Sequence, residues 1–302
     1  MTMPQKNAGV ALPGLPAFSL QTNSLPGSPR TAILFATPGT TCRSAMGVYE
    51  QISRAAALRF PGAAPRWCFT SGPVRRKLAA QGLPAPDPAA ALKALQAEGF
   101  TRVAVMPLHL SDGMEFNELA GIVHAQRHPP GATPGLALGH ALLTSEADWR
   151  RALHALLTEL PATEPQRIAG ASRTETNPGR IILVVHGSTD PRGSATLQTA
   201  ARLCRAVDPR LILGMMLGEP DLAAVVRECQ AAGVTKAWLL PCMVVAGFSA
   251  RDEIAGPGES SWASALRRAG IEVVPVIKGL GEVDGIVQIW LDAVEGLLAE
   301  TM

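Results

Sequence analysis

The strongest constraint on this chain is that part of it repeats. The segment "QAEGFTRVAVMPLHLSDGMEFNE" (Gln96–Glu118) overlays "QAAGVTKAWLLPCMVVAGFSARD" (Gln230–Asp252). Gln96/Gln230, Ala97/Ala231, Gly99/Gly233, Thr101/Thr235, Pro107/Pro241 and Gly113/Gly247 are identical. In the same order, "ILFATPGTT" (Ile33–Thr41) overlays "IILVVHGST" (Ile181–Thr189). Two matched segments in one order argue for a duplicated unit.

The patterning says what that unit is. Short apolar runs without polar alternation, as in "IILVV", suit strands covered on both faces by helices. Strands are expected at Ala32–Ala36, Arg66–Thr70, Arg102–Leu108, Gly135–Ala141, Arg180–Val185, Leu211–Leu217, Ala237–Pro241 and Glu272–Ile277. Helical stretches fill the intervals, among them Val74–Gln81, Glu115–Arg127 and Val283–Glu300. The expected fold is α/β, with two similar lobes from an internal duplication, each a mainly parallel sheet flanked by helices. The lobes are expected at 30–160 and 180–302. A linker rich in turn formers occupies 161–179, and a proline-rich disordered tail occupies 1–29.

Composition removes several function classes. The chain has 302 residues and a net charge of +2, with no long basic run, so nucleic acid is not a suggested partner. No apolar run reaches membrane-spanning length, so no membrane is expected. Cys42, Cys68, Cys204, Cys229 and Cys242 are scattered and form no CxxC pair, which fits reduced thiols in a cytoplasmic protein. GxGxxG, P-loop and GxSxG motifs are missing, so neither a nucleotide cofactor nor an α/β-hydrolase is indicated.

Open parallel sheets bind ligands outside the carboxyl ends of their strands. The repeat makes Pro38 and His186 equivalent there, and likewise Glu115 and Ser249. His186 ends a buried strand, where an imidazole can bind a transition metal or take a proton near neutral pH. Glu115 fits the same chemistry, although "DGME" also has the spacing of a capping box, with Asp112 as N-cap. His109 lies near the same strand end, where a structural loop histidine is the competing assignment. His124, His128, His140 and His154 fall on helix or edge positions away from these loops. Arg75, Arg76 and Lys77 crowd the start of a helix against its dipole, which favours an anionic ligand such as a polycarboxylate. A solvated helix face is the alternative.

Together the segments "FTSGPVRRKL", "LKALQAEGFTRVAVMPLHLSDGMEF", "HALLTSEADW", "VVHGS", "GVTKAWLLPCMVVAG" and "SSWASALRRAGIEVVPVIKGLGE" resemble the anaerobic cobalt chelatases. These are the sirohydrochlorin cobaltochelatases of the class II tetrapyrrole chelatases, and the resemblance runs from Thr31 to Leu298. It implies two α/β lobes with a tetrapyrrole cleft between them, and a lyase that inserts Co²⁺, the substrate metal, into sirohydrochlorin or precorrin-2 without a nucleotide. It implies His186 and Glu115 as metal-site and proton-accepting groups. The residues themselves add Arg75, Arg76, Lys77, His109 and Ser249 as candidate substrate contacts. In the family a second histidine follows "VVAG"; here Ser249 stands in its place, and a hydroxyl is a poor ligand beside imidazole. Asp252, Glu253 or His109 could complete the site. The substitution also motivates a degenerate chelatase that only binds tetrapyrrole or metal, and one histidine with one carboxylate leaves Fe²⁺ and Ni²⁺ open. Homo-oligomerisation is open as well.

Overall fold

Two four-stranded parallel sheets with the same strand order form the framework. The computed structural model describes residues 30–83, 85–127, 135–160 and 179–301; the expected tail and nearly all of the expected linker lie outside them, as does His128. In the first unit β1 (Thr31–Thr37), β2 (Ala63–Phe69), β3 (Arg102–Pro107) and β4 (Gly135–Leu138) are ordered β2-β1-β3-β4. In the second, β5 (Arg180–Gly187), β6 (Leu211–Leu217), β7 (Lys236–Pro241) and β8 (Glu272–Pro275) are ordered β6-β5-β7-β8. Every expected strand is present, within a few residues at its ends.

Between the strands of the first unit run α1 (Gly47–Arg59), α2 (Gly72–Ala80), α3 (Pro88–Ala97), α4 (Met114–Ala125) and α5 (Glu146–Thr158). The second unit has α6 (Pro191–Val207), α7 (Leu222–Ala231), a π-helical turn over Ser249–Ile254, α8 (Trp262–Arg268) and α9 (Asp284–Glu300). No helix among the described residues is long and apolar enough to cross a membrane.

The strands are apolar along most of their length because both faces are covered. On β1, Ile33 and Phe35 join one large core, while Ala32, Leu34 and Ala36 join another with Leu92 and Leu95 of α3 and Leu119 and Val123 of α4. On β5, Ile181, Leu183 and Val185 join the same large core, while Ile182 and Val184 pack with Val225 of α7 and Trp262 and Leu266 of α8. The shared core therefore lies between the sheets and is filled by α1, α5, α6 and α9.

The last helix of each unit reaches toward the other. Trp149 of α5 is 1% exposed, and its indole N–H donates to the Ala200 carbonyl of α6 at 3.2 Å. α9 lies against β3 and β4, and Arg102 Nη2 of β3 donates to the Leu298 carbonyl at its C-terminus at 2.7 Å. A cation at that end also opposes the helix dipole favourably. Arg59, Arg151, Asp292 and Glu295 tie α1, α5 and α9 together on the surface.

The strand ends reproduce the repeat in three dimensions. Gly39 and Gly187, equivalent in sequence, turn the chain with φ of +93° and +90°, a region that favours glycine. A Cβ on Gly187 would overlap the Leu217 carbonyl oxygen, which is backbone; one on Gly39 would meet the Phe69 ring at 2.7 Å, which can shift. Gly187→Ala should therefore cost about 3 kcal/mol of unfolding free energy, and Gly39→Ala less. Urea titrations of the two variants check that order.

Candidate active site at the lobe seam

Each sheet has a switch point at the carboxyl ends of its two central strands. The connection after β1 leads to α1 in the shared core, while that after β3 leads to α4 on the outer face. The connections after β5 and β7 diverge in the same way, toward α6 and toward α8. Divergence of neighbouring connections opens a crevice at that point.

The two crevices meet. A Cβ on Gly113, in the loop after β3, would lie 3.1 Å from Ser188 Oγ, and one on Gly193 would lie 2.8 Å from the Gly113 Cα. A Cβ on Gly247, in the loop after β7, would lie 2.8 Å from Thr40 Oγ1. Gly113 and Gly247 are repeat equivalents, as are Ser188 and Thr40, so these are two copies of one contact. Each hydroxyl also accepts from a backbone N–H two residues on: Cys42 for Thr40 and Asp190 for Ser188, both at 3.1 Å.

Glu115 lies two residues beyond Gly113 and His186 two before Ser188, so one seam carries both. The His186 side is exposed, and Glu115 is 31% exposed in the first turn of α4. An acidic residue suits that turn electrostatically, but the capping box does not form. Gly113 is the N-cap and makes no side-chain bond. Asp112 instead accepts from Thr196 Oγ1 of α6 at 2.6 Å, and Glu115 Oε2 accepts from Thr70 Oγ1 at 2.9 Å. Tertiary partners have drawn both carboxylates away from the local motif.

His109 is 6% exposed, and its Nε2 lies 3.0 Å from Thr70 Oγ1 and 3.9 Å from Glu115 Oε2. Burial pushes its pKa down from 6.5 to about 4. Arg75 Nη1 donates to the carbonyls of Phe69 and Thr70 at 2.8 and 2.7 Å, clamping the end of β2, while Arg76 and Lys77 are exposed on α2. Ser71 is the N-cap of α2, without a side-chain bond. Ser249 opens the π-helical turn and is half-buried, with Asp252 and Glu253 exposed further along it. His124 and His154 are exposed on α4 and α5, and His140 pairs with Asp148 at 3.0 Å. Among the described residues no three His, Cys, Asp or Glu side chains already form a metal-binding group.

Sequence reasoning did not single out Thr70. A threonine after a buried strand carries no signal until the neighbouring strand end places His109 and Glu115 around it. It also missed the apolar rim. Met114 is 64% exposed, Phe248 62% and Leu217 46%. Met114 follows Gly113, Phe248 follows Gly247, and the Leu217 carbonyl accepts from Ser188 N–H at 3.2 Å. All three border the seam.

A sequence model of the cobalt chelatase (CbiK) family matches residues 31–298. The chain is 34% identical over 263 residues to the sirohydrochlorin cobaltochelatase CbiKC of Nitratidesulfovibrio vulgaris, covering 87% of this chain and 89% of the relative. It is 30% identical over 220 residues to the sirohydrochlorin cobaltochelatase of Salmonella typhimurium, covering 71% and 75%. In fold it resembles SirB from Bacillus subtilis, solved with Fe³⁺, with a TM-score of 0.59 at 16% identity over 89% of this chain and 96% of that one. It likewise resembles CbiX, with a TM-score of 0.52 at 17% identity over 88% and 99%.

Burial of His109 has a consequence for stability. The unfolded chain binds this proton more readily than the folded one, so the group's contribution is whole above pH 6.5 and declines as pH falls toward about 4. The decline should be roughly 3 kcal/mol. Unfolding free energies across that range should fall less steeply in His109→Gln than in the parent protein.

Proposed function

The chain belongs to the cobalt chelatase (CbiK) family, and on that premise we propose that it inserts Co²⁺ into sirohydrochlorin or precorrin-2 in cobalamin biosynthesis, with His186 and Glu115 as the working pair. It is an enzyme of the lyase class, needs no nucleotide, and takes cobalt as a substrate.

Insertion is an exchange: two pyrrole N–H protons leave as one divalent cation enters, and water leaves the cation. Neutral His186 offers a nitrogen donor to Co²⁺ or accepts a proton, and Glu115 offers an oxygen or accepts the other. The observation that carries this reading is the Gly113–Ser188 contact, which brings the loops of these two residues to one seam. The exposed side chains of Met114, Phe248 and Leu217 suit the apolar faces of a flat macrocycle. Arg76 and Lys77 suit its carboxylates: α2 begins against the Gly39 loop, where a Cβ on Gly39 would lie 3.1 Å from Val74 Cγ1. Holding ring and metal together is chiefly a proximity effect. The cytoplasm is the proposed location, in keeping with five free cysteines.

Ser249 favours a second reading, in which the protein binds tetrapyrrole or metal without accelerating insertion. The visible-band shift of sirohydrochlorin with Co²⁺ separates the two. The parent protein should exceed the protein-free rate, and His186→Ala and Glu115→Gln should each lose about 10²-fold. Ser249→His should bind Co²⁺ at least as tightly as the parent. Pigment binding with no added rate for Co²⁺, Fe²⁺ or Ni²⁺ would leave the carrier.

A further inference from the structure

Thr70 stands between two functional groups with one proton to give. Its hydroxyl donates to Glu115 Oε2 at 2.9 Å, and His109 Nε2 lies 3.0 Å from the same oxygen. With the hydroxyl proton committed to Glu115, the second bond requires His109 to donate. The imidazole is then the Nε2–H tautomer, with Nδ1 an acceptor. That nitrogen is buried and has no partner among the described residues. Every donor in the line thus points toward the carboxylate.

Thr70 itself is held rigidly. It is 7% exposed, its N–H donates to the Thr37 carbonyl at 2.8 Å, and its own carbonyl accepts from Arg75 Nη1 at 2.7 Å. A β-branched side chain on a fixed backbone has few rotamers, so the hydroxyl direction is set. His109 meets Phe116 of α4 edge-on, with ring centroids 6.2 Å apart.

The second lobe lacks this line. Thr37 pairs with Phe69 and Val185 with Met215, so strand register makes Met216 the counterpart of Thr70. The repeat makes Met243 the counterpart of His109 and Ser249 that of Glu115. Both methionines pack against the outer core of their lobe. The polar line is present where the carboxylate is, and apolar packing replaces it where the carboxylate is missing.

We propose that Thr70, backed by His109, is a positioning residue that occupies Glu115 Oε2 and presents the carboxylate to the incoming metal through Oε1 alone. This rests on Glu115 being a metal-site group. A single-oxygen hold suits a cation that must pass on into the macrocycle, because a second bond from the same carboxylate would slow its release.

The test compares Thr70→Val, Thr70→Ser and Glu115→Gln, each checked for folding by thermal melting. Thr70→Val should free Oε2 for a second bond, so it should tighten Co²⁺ binding and lower kcat by about tenfold, with KM for sirohydrochlorin unchanged, and Thr70→Ser should restore most of both. Values for Thr70→Val within twofold of the parent, while Glu115→Gln has lost activity, overturn the proposal. No loss in Glu115→Gln instead refutes the reading of Glu115, and the proposal falls with it. If Thr70→Val does not fold, infrared spectra of the parent protein decide. Carboxylate stretches shifted by Co²⁺ to the wide splitting of one-oxygen coordination support the proposal, and the narrow splitting of a chelating carboxylate overturns it.

Discussion

The close approach of backbone across the lobe seam is the constraint on which the rest of the structure depends. Gly113 meets Ser188 and Gly193, and Gly247 meets Thr40, at distances that leave no room for a Cβ without movement. Interiors are packed too densely to absorb such an atom locally. A side chain at Gly113 would have to displace the Ser188 hydroxyl and one at Gly247 the Thr40 hydroxyl, next to Glu115 and Ser249. Glycine at these two positions is thus a statement about how closely the strand ends of one lobe can face those of the other.

That closeness is supported from behind. α9 leaves the second unit to cover β3 and β4, and α5 leaves the first to pack on α6, so the lobes share one core. Separating them would expose Trp149, Trp290 and Leu291, each about 1% exposed, at a cost of about 2 kcal/mol or more per side chain. The seam is therefore set by an exchanged pair of helices and not by the few hydrogen bonds that cross it. A rigid frame of this kind is what two ligand groups on separate loops need if they are to work on one small ion.

The sequence made the strands and the duplication legible because burial on both faces leaves an unmistakable apolar run, and because Gly and Pro punctuate it. It also singled out His186 and Glu115, which share a seam. Three things were not legible, each for a physical reason. The apolar face of α9 does not say which sheet it will cover. "DGME" satisfies a local cap on paper, but Thr196 and Thr70 offer the same carboxylates partners from other elements, and tertiary bonds won. Arg75 read as a cation for an anionic ligand, while its Nη1 holds two carbonyls at the end of β2.

Duplication raises a question of number. Two equivalent seam contacts provide two equivalent places for a ligand pair, one formed by the loops of Glu115 and His186, the other by those of Ser249 and Pro38. Proline offers no side-chain donor at all, and a lone hydroxyl is a weak ligand for a late transition cation. A reaction that places one metal at the centre of one ring has use for only one furnished pair. The rims did not diverge in the same way: Met114 and Phe248, which are equivalent, are both apolar and both exposed. With His186 and Glu115 as the proposed pair, a flat ring lying across both seams would meet similar apolar edges from each lobe, yet ligands from one seam only. The symmetric part of the site fits the shape of the macrocycle, and the asymmetric part fits the single ion that enters it.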